Sequence, residues 1–312
     1  MRTILLLAAC LIGQITTPET PQKPAASGNG RILELDVVAI DGQGKPVNDL
    51  KPDDLELWLE SYRLPLKSMT VLSEKDERRR RSVILILDDL TIPHELIPRI
   101  HRAAIETIER LEPGDRLSFG LLSDGGAVTI SDPAAIRQAI DRFNIRTTLP
   151  LRPDDLSVHV FATLTNIARQ VAEAPGHRKT VITIGPGWVF DTPIPPSSVS
   201  RNLRPEWTET LRAMALSNVV LYVVDPGGVG SAPVAGGTDG LARDTGGHAF
   251  INTNDVPGTI DRIMNEGSSF YILHFEDPPF FRTAPLRKVD VRTKRKDVTL
   301  RARRLIPGTG TK

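Results

Sequence analysis

The sequence has little of three things that often reveal the class of a protein: cysteine, aromatic residues and net charge. Cys10 is the one cysteine in 312 residues, which excludes a disulfide within this chain. Aromatic residues account for 5%, and 39 basic residues nearly balance 38 acidic ones, so the formal net charge is +1. Such a balance provides no bulk attraction to nucleic acid or to an anionic membrane surface. We therefore predict no nucleic-acid partner.

Familiar catalytic motifs are also missing. The sequence contains no G-x-S-x-G nucleophile elbow. Its six histidines are scattered, and none lies at metal-ligand spacing from Cys10 or from another histidine. We predict no catalytic residue and no enzyme activity.

Residues 1–15 have the composition of a secretory signal peptide. Arg2 supplies a positive charge, and the apolar run Ile4–Ile12 that follows is too short to span a bilayer. An ordinary cleaved signal is one interpretation; the other is a lipobox at Leu7–Cys10, which would leave a lipidated cysteine at the mature N-terminus. Either one predicts an exported protein, periplasmic or secreted, that contacts the membrane only if Cys10 carries a lipid.

Composition divides the next part of the chain. Residues 16–30, rich in Pro, Thr, Ser and Gly, predict a flexible linker. Residues 31–72 predict an N-terminal β segment, because apolar residues alternate there with charged ones, as Leu33, Leu35 and Val37 do with Glu34 and Asp36. We interpret the charged run Glu74–Arg81 that follows as a solvated linker.

Strand and helix patterns alternate over residues 82–267. This alternation predicts a doubly wound, mostly parallel, Rossmann-like α/β domain with right-handed crossovers. Its strands are predicted at Val83–Asp88, Arg116–Leu122, Thr180–Ile184, Val219–Asp225 and His248–Ile251. Helices are predicted at Ile97–Leu111, Pro133–Phe143, Phe161–Ala174, Pro205–Leu216 and Val256–Asn265. The Ser123–Gly126 turn predicts a short antiparallel edge strand over Val128–Ile130.

Period-two patterning returns over residues 268–306. Phe270–Phe275, Lys288–Lys294 and Val298–Ala302 each predict a strand. A sheet of two or three strands is marginal alone, so its apolar face needs a partner. We expect that partner to be residues 31–72, which makes one small β domain from the two ends of the chain, with the α/β domain inserted between them.

Several short motifs occur in a fixed order along the chain. They are Val37–Asp41 with Gly44–Val47, then Leu85–Leu90, Pro113–Arg116, Leu241–Ala242 with Thr245–Gly247, and the Tyr271–Leu273 strand. Together they resemble the von Willebrand factor A-type fold, and more closely a related domain family described from Acidobacteria. Over residues 31–306 the resemblance implies an adhesion-type binding function.

The resemblance also implies a site for Mg²⁺, the one cofactor it allows. Von Willebrand A domains usually hold this ion with a strand-end Asp-x-Ser-x-Ser, a later Thr and an Asp after the fourth strand. Asp88 corresponds to the first Asp, and Thr163 to the Thr. Asp89 and Thr91 lie one residue away from motif positions and could add oxygens, which are the ligands a hard cation prefers.

The sequence departs from that motif at three positions. Leu90 and Ile92 stand where the two serines would be, and the last Asp position falls at Gly185 or Pro186. Mg²⁺ tolerates few missing ligands, because it requires near-octahedral geometry. We therefore expect a degenerate metal-ion-dependent adhesion site; the alternative is that Asp88 and its neighbours cap the following helix.

Three functional hypotheses remain. The first is an exported, non-enzymatic module that binds a protein partner through loops near Asp88, Thr163 and Gly185. The second is a metal-assisted envelope hydrolase, in which Asp88 and Asp89 hold a metal together with a third carboxylate such as Asp225. The third is a purely structural component of the envelope.

Overall fold

A computed structural model describes residues 30–72, 80–130, 132–145, 153–174, 176–188, 203–228, 237–279 and 282–308. The predicted signal peptide and all but the last residue of the predicted linker lie outside these ranges. Within them, no helix combines the length and the apolar character needed to cross a membrane.

The described strands and helices alternate much as the periodicity predicts. The strands are β1 (Ile32–Ile40), β2 (Leu55–Leu59), β3 (Tyr62–Leu64), β4 (Leu66–Leu72), β5 (Ser82–Leu87), β6 (Arg116–Leu121), β7 (Thr129–Ile130), β8 (Lys179–Ile184), β9 (Val219–Val224), β10 (His248–Phe250), β11 (Phe270–Glu276), β12 (Leu286–Thr293), β13 (Thr299–Ala302) and β14 (Leu305–Pro307). The helices are α1 (Ile97–Glu109), α2 (Pro133–Asp141), α3 (Pro153–Gln170), α4 (Arg204–Leu216), α5 (Gly237–Asp244) and α6 (Val256–Glu266).

The central sheet contains six strands in the order β10-β9-β8-β5-β6-β7. The first five are mutually parallel, and β7 pairs antiparallel with β6 at the edge. Strands β5, β8 and β9 are buried along their whole length, which explains their nearly continuous apolar sequences. The predicted mostly parallel sheet flanked by helices is confirmed.

Helices cover both faces of this sheet. Residues of α3, α4 and α5 pack on one face, against side chains that include Ile84, Val181 and Leu221. Residues of α1, α2 and α6 pack on the other face, around Leu85 and Ile182. Strand order reverses between β5 and β8, so the C-terminal ends of these strands form the crevice where doubly wound folds bind ligands. We call this edge of the sheet the rim.

Two four-stranded antiparallel sheets are built from both ends of the described chain. One has the order β13-β1-β11-β4 and the other β14-β12-β2-β3. Side chains of both sheets share one core, in which Leu35 and Tyr271 of the first sheet meet Leu57 and Val289 of the second. N-terminal and C-terminal strands pair directly, since β1 lies between β11 and β13.

Strand β1 departs from the simple alternation predicted for it, because both of its faces are covered. Leu35 and Val37 point into the core between the two antiparallel sheets. On the opposite face, Val38 packs with Phe270, and Asp36 is buried as well. The His177 ring, which precedes β8 of the central sheet, stacks on Phe270. The second face of β1 therefore lies against the α/β part of the molecule.

Two helices differ from the predictions: one begins earlier than expected, and the other was not predicted. Helix α3 begins at Pro153 instead of Phe161; its start carries a proline followed by Asp154 and Asp155, residues that favour a helix N-terminus. Helix α5 was not predicted, because its eight residues include two glycines and only a short apolar stripe, Leu241–Ala242.

Arg81 is an exception to the solvated linker predicted over Glu74–Arg81, of which residues 74–79 lie outside the described ranges. Its guanidinium is buried and forms an ion pair with Asp115. It also donates to the carbonyl oxygen of Met264 at 3.0 Å. The last residue of the run is thus a buried anchor for the turn that precedes β6.

Candidate functional site

Asp88 lies on the rim, immediately after β5, and both of its carboxylate oxygens are occupied by donors from the next three residues. Oδ1 accepts from the backbone N–H groups of Leu90 at 3.0 Å and Thr91 at 2.9 Å. Oδ2 accepts from the Thr91 hydroxyl at 2.5 Å. The carboxylate is buried, and its hydrogen bonds stabilise the turn formed by the residues that follow it.

Burial also determines the electrostatics of this carboxyl. Desolvation raises the pKa of Asp88 above its ordinary value, and the hydrogen bonds from Thr91 and Leu90 offset the rise only in part. The neighbouring Asp89 charge adds to the increase. Holding this group ionised therefore costs folding free energy, and the local donors reduce that cost.

Asp89 points to the neighbouring strand. It accepts from the Ser123 backbone N–H at 2.9 Å and from the Ser123 hydroxyl at 2.5 Å. The sequence pattern predicts only a turn at Ser123. Because Ser123 follows β6 closely, and β6 is parallel to β5, the ends of the two strands meet at the same edge. That adjacency was the signal that could have paired the two residues.

Gly185, which occupies a motif position expected to hold an aspartate, closes the rim behind Asp88. A Cβ atom built on Gly185 would lie 2.6 Å from the Asp88 Cβ, closer than real side chains come. The backbone of this residue is also fixed, because its N–H donates to the Val224 carbonyl at 3.0 Å. A glycine is therefore needed here for β8 to approach Asp88.

Thr163 is buried within α3, and its hydroxyl forms no hydrogen bond to the part of the chain that the structure describes. The helix backbone packs closely at this point, since a Cβ on Gly126 would lie 2.6 Å from the Thr163 carbonyl oxygen. Among the described residues, no hydrogen bond joins Thr163 to Asp88. The structure thus places Thr163 beside the loop that carries Ser123.

Asp225, the third carboxylate considered for a hydrolase, follows β9. It is buried, and its Oδ1 accepts from the Gly227 N–H at 2.7 Å. Arg99 of α1 donates to the carbonyl oxygens of Pro226 and Gly227, which joins this loop to the first helix. In the described part of the chain, no three His, Cys, Asp or Glu side chains are grouped so as to hold one metal ion.

The donor set around Asp88 does not fit an octahedral Mg²⁺ site. The carboxylate oxygens face N–H and O–H donors, and Leu90, Ile92 and Gly185 offer no side-chain oxygen. Among the described residues, the Thr163 hydroxyl has no hydrogen-bond partner. The arrangement can cap a turn and bind two strand ends together; binding of a cation stays a prediction to be measured.

The fold and rim together define a doubly wound α/β protein that also carries antiparallel sheets. No protein-family profile matches the sequence. No curated protein matches it either.

Solved structures with a distantly similar fold include two proteins. One is a mutant of the PilB minor pilin from Streptococcus sanguinis, with a TM-score of 0.42 and 10% identity, covering 74% of this chain and 87% of that one. The other is the manganese-loaded TRAP protein of Plasmodium vivax, with a TM-score of 0.36 and 10% identity, covering 75% of this chain and 96% of that one.

Proposed function

We propose that this chain is a non-enzymatic, adhesion-type module that binds a protein partner through the loops of the rim. Its metal-ion-dependent adhesion site is degenerate, and no cation bridges the contact. The observation that supports this proposal is the closed hydrogen bonding of Asp88, whose two oxygens are held by Leu90 and Thr91. A carboxylate engaged in this way offers little to a cation or to a partner's acidic group.

Recognition then depends on the side chains that the Asp88 turn holds in place. Pro93, His94 and Glu95 follow that turn and are exposed. They precede α1, whose Arg99 is anchored to the loop after β9. Loops held by a rigid scaffold are common binding surfaces, because little conformational entropy is lost on contact.

The first experiment tests the absence of a cation. Mg²⁺ and Mn²⁺ are titrated calorimetrically into the purified chain, an Asp88→Ala variant and an Asp88→Asn variant. We expect no saturable heat in any of the three. Saturable heat in the unaltered chain that is lost in Asp88→Ala would overturn the cation-free mechanism and favour adhesion through a bound metal.

The second experiment tests the rim as the binding surface. The immobilised chain is exposed to extracts of the source organism's envelope, with and without EDTA, and retained proteins are identified. A His94→Ala, Glu95→Ala double variant alters exposed rim residues, and a Gln43→Ala, Lys45→Ala double variant alters an exposed turn outside the rim as the matched control.

We expect the same protein to be retained by the unaltered chain and by the control, to be lost with the rim variant, and to be insensitive to EDTA. Equal retention by both variants would contradict the assignment of the rim. If neither calorimetry nor retention detects any ligand, a purely structural role replaces the proposal.

Export is a further part of the proposal, and it rests on the sequence of residues 1–15 alone. We expect the chain to be recovered from the periplasm or the medium, without Cys10 if the signal is an ordinary one that is cleaved after residue 15. Fractionation followed by mass spectrometry of the mature N-terminus measures both. An acylated Cys10 would show the lipid-anchored form, and a cytoplasmic chain that retains residues 1–15 would contradict export.

A further inference from the structure

A cleft of about 520 Å³ lies on the side of the molecule opposite the rim. It is bordered by the N-terminal ends of β8 and β9, through Lys179 and Asn218, and by β1 and the segment after β13, through Asp36 and Arg303. We call this the junction cleft, because residues of the α/β part and of the antiparallel sheets both line it. Its volume falls within the range of small-molecule sites.

One buried carboxylate organises the floor of the junction cleft. Asp36 accepts from His177 Nε2 at 2.7 Å on one oxygen and from Asn218 Nδ2 at 2.8 Å on the other. Asn218 also donates to the His177 carbonyl, and its own side-chain oxygen accepts from Arg303. Each carboxylate oxygen of Asp36 thus accepts one hydrogen bond, from the His177 ring or from the Asn218 amide.

Cations around this carboxylate outnumber it. Asp36 interacts electrostatically with His177, Arg178, Lys179 and Arg303. Arg303 is 7% exposed, and among the described residues its one hydrogen bond goes to an uncharged amide oxygen. Lys179 is also 7% exposed, and its ammonium forms no hydrogen bond to a described residue. Buried charges are costly unless they are paired.

The other acidic groups nearby do not complete the pairing. Glu34 lines the cleft, but it is half exposed and one of its carboxylate oxygens lies 3.2 Å from His274 Nε2. Glu173 acts on Lys179 electrostatically, without an ion pair within 4.0 Å among the described residues. Arg31 adds another exposed positive charge to the lining. A local excess of positive charge therefore faces the cleft.

We propose that the junction cleft binds a small molecule through an oxyanion, a carboxylate or a phosphate, held by Arg303 and Lys179. A guanidinium presents several N–H donors in a plane that matches such a group, and an ammonium adds a point charge. Ile32 and Leu216 line the same cleft and are 50% and 60% exposed, so an apolar part of the ligand has surface to cover. This site is independent of the rim and of the function proposed for it.

Calorimetry with simple anions tests the site. Inorganic phosphate and hexanoate are each titrated into the full chain at low chloride, and the melting temperature is followed in parallel. We expect 1:1 saturable binding of at least one of them and a melting temperature that rises with its concentration. Phosphate alone would assign a phosphorylated ligand, and hexanoate alone would assign a carboxylic acid with an apolar chain.

Variants locate the binding. Arg303→Gln and Lys179→Gln each remove one cleft cation, and we expect affinity to fall about tenfold or more in each, since a charge-assisted hydrogen bond is lost. Arg292→Gln removes the same charge at an exposed position on β12 and is expected to bind as the unaltered chain does. Lys179→Gln is the second variant in case Arg303→Gln misfolds, because the Lys179 ammonium has no hydrogen bond to a described residue that the substitution would remove.

The proposal is overturned if neither anion gives saturable heat. It is also overturned if the anion raises the melting temperature equally in the unaltered chain, Arg303→Gln and Lys179→Gln, because that pattern is a general salt effect. Anion binding at the junction cleft does not depend on protein binding at the rim. Failure of one proposal is therefore distinguishable from failure of the other.

Discussion

The rim and the junction cleft lie at opposite ends of the same parallel strands and handle charge in opposite ways. At the rim, Asp88 and Asp89 are each satisfied by N–H and O–H donors of nearby loops. At the junction cleft, Asp36 is shared among several cations, and Arg303 has no carboxylate partner at ion-pair distance among the described residues. Nearby donors thus engage both rim carboxylates, whereas Arg303 at the junction cleft donates only to an amide oxygen among the described residues.

The difference is between charged groups whose hydrogen bonds stabilise the fold and charged groups that keep donors available for a ligand. A carboxylate that accepts three hydrogen bonds from its own turn stabilises the loop and gains little from another partner. A buried guanidinium that donates to one amide keeps most of its donors available. The rim carboxylates, which stand out in the sequence, are therefore less available to a ligand than the Arg303 guanidinium of the junction cleft.

The largest expected effect is the loss of the shared carboxylate. Asp36→Ala leaves His177, Arg303 and their neighbours without a buried negative charge, and we expect the free energy of unfolding to fall by about 3–5 kcal/mol. Urea denaturation measures it. Asp290→Ala, which removes an exposed partner of Arg292, is the control and is expected to cost about 0.5 kcal/mol or less. Similar losses in both variants would show that Asp36 is not the organising charge.

A smaller effect is expected at the rim. Gly185→Ala places a Cβ against Asp88, and we expect a loss of about 1–3 kcal/mol through overpacking and displacement of the Asp88 turn. Gly42→Ala is the matched control, because a Cβ there would meet nothing within 4 Å. Thermal denaturation compares the two. If the Gly185→Ala protein is as stable as the Gly42→Ala protein, the rim can accommodate a Cβ atom beside Asp88, and the requirement for glycine at position 185 is contradicted.

The smallest expected effect is a pH dependence of the junction. Burial lowers the pKa of His177, but the hydrogen bond and charge of Asp36 raise it more, so the net pKa lies above its ordinary 6.5. Burial raises the pKa of Asp36, but the interactions with His177 and Asn218 lower it by more, so the net pKa lies below its ordinary 3.8. The pair thus stabilises the fold fully between these two ordinary values, and its contribution is lost as pH rises through the pKa of His177 or falls through that of Asp36.

Unfolding free energies measured from pH 6 to 9 test the basic limb of this dependence. We expect stability to decline across that range in the unaltered chain and less steeply in His177→Gln, which keeps a side-chain donor but does not titrate. His94→Gln, at an exposed rim position, is the control and should follow the unaltered chain. Identical profiles for the unaltered chain and His177→Gln would contradict the role of this pair.

Local pattern was sufficient for much of the fold. Continuous apolar runs such as Val83–Leu87 and Val219–Val224 predicted buried parallel strands, because a strand covered on both faces has no polar side. The Ser123–Gly126 turn likewise predicted an antiparallel edge strand, which is present as β7. The weak pattern of α5 failed, because a short helix rich in glycine and polar residues leaves little periodicity to detect.

The candidate site was only half predictable for a related reason. The position of Asp88 at a strand end follows from the sequence, since the apolar run stops there. Its hydrogen bonds to Leu90 and Thr91 depend on the course of the turn, and that of Asp89 to Ser123 depends on which strands are neighbours.

The sequence by itself determined the strands of the parallel sheet, the helices with strong periodicity and the place of the acidic rim, because burial and period are properties of neighbouring residues. Only the tertiary structure decided which charges are satisfied. Asp36 and His177 are 141 residues apart, and Arg81 and Asp115 are 34 apart. Packing of such distant segments sets both the burial of a charge and the partners it finds, so alternation along one strand could not show that Asp36 is buried among cations.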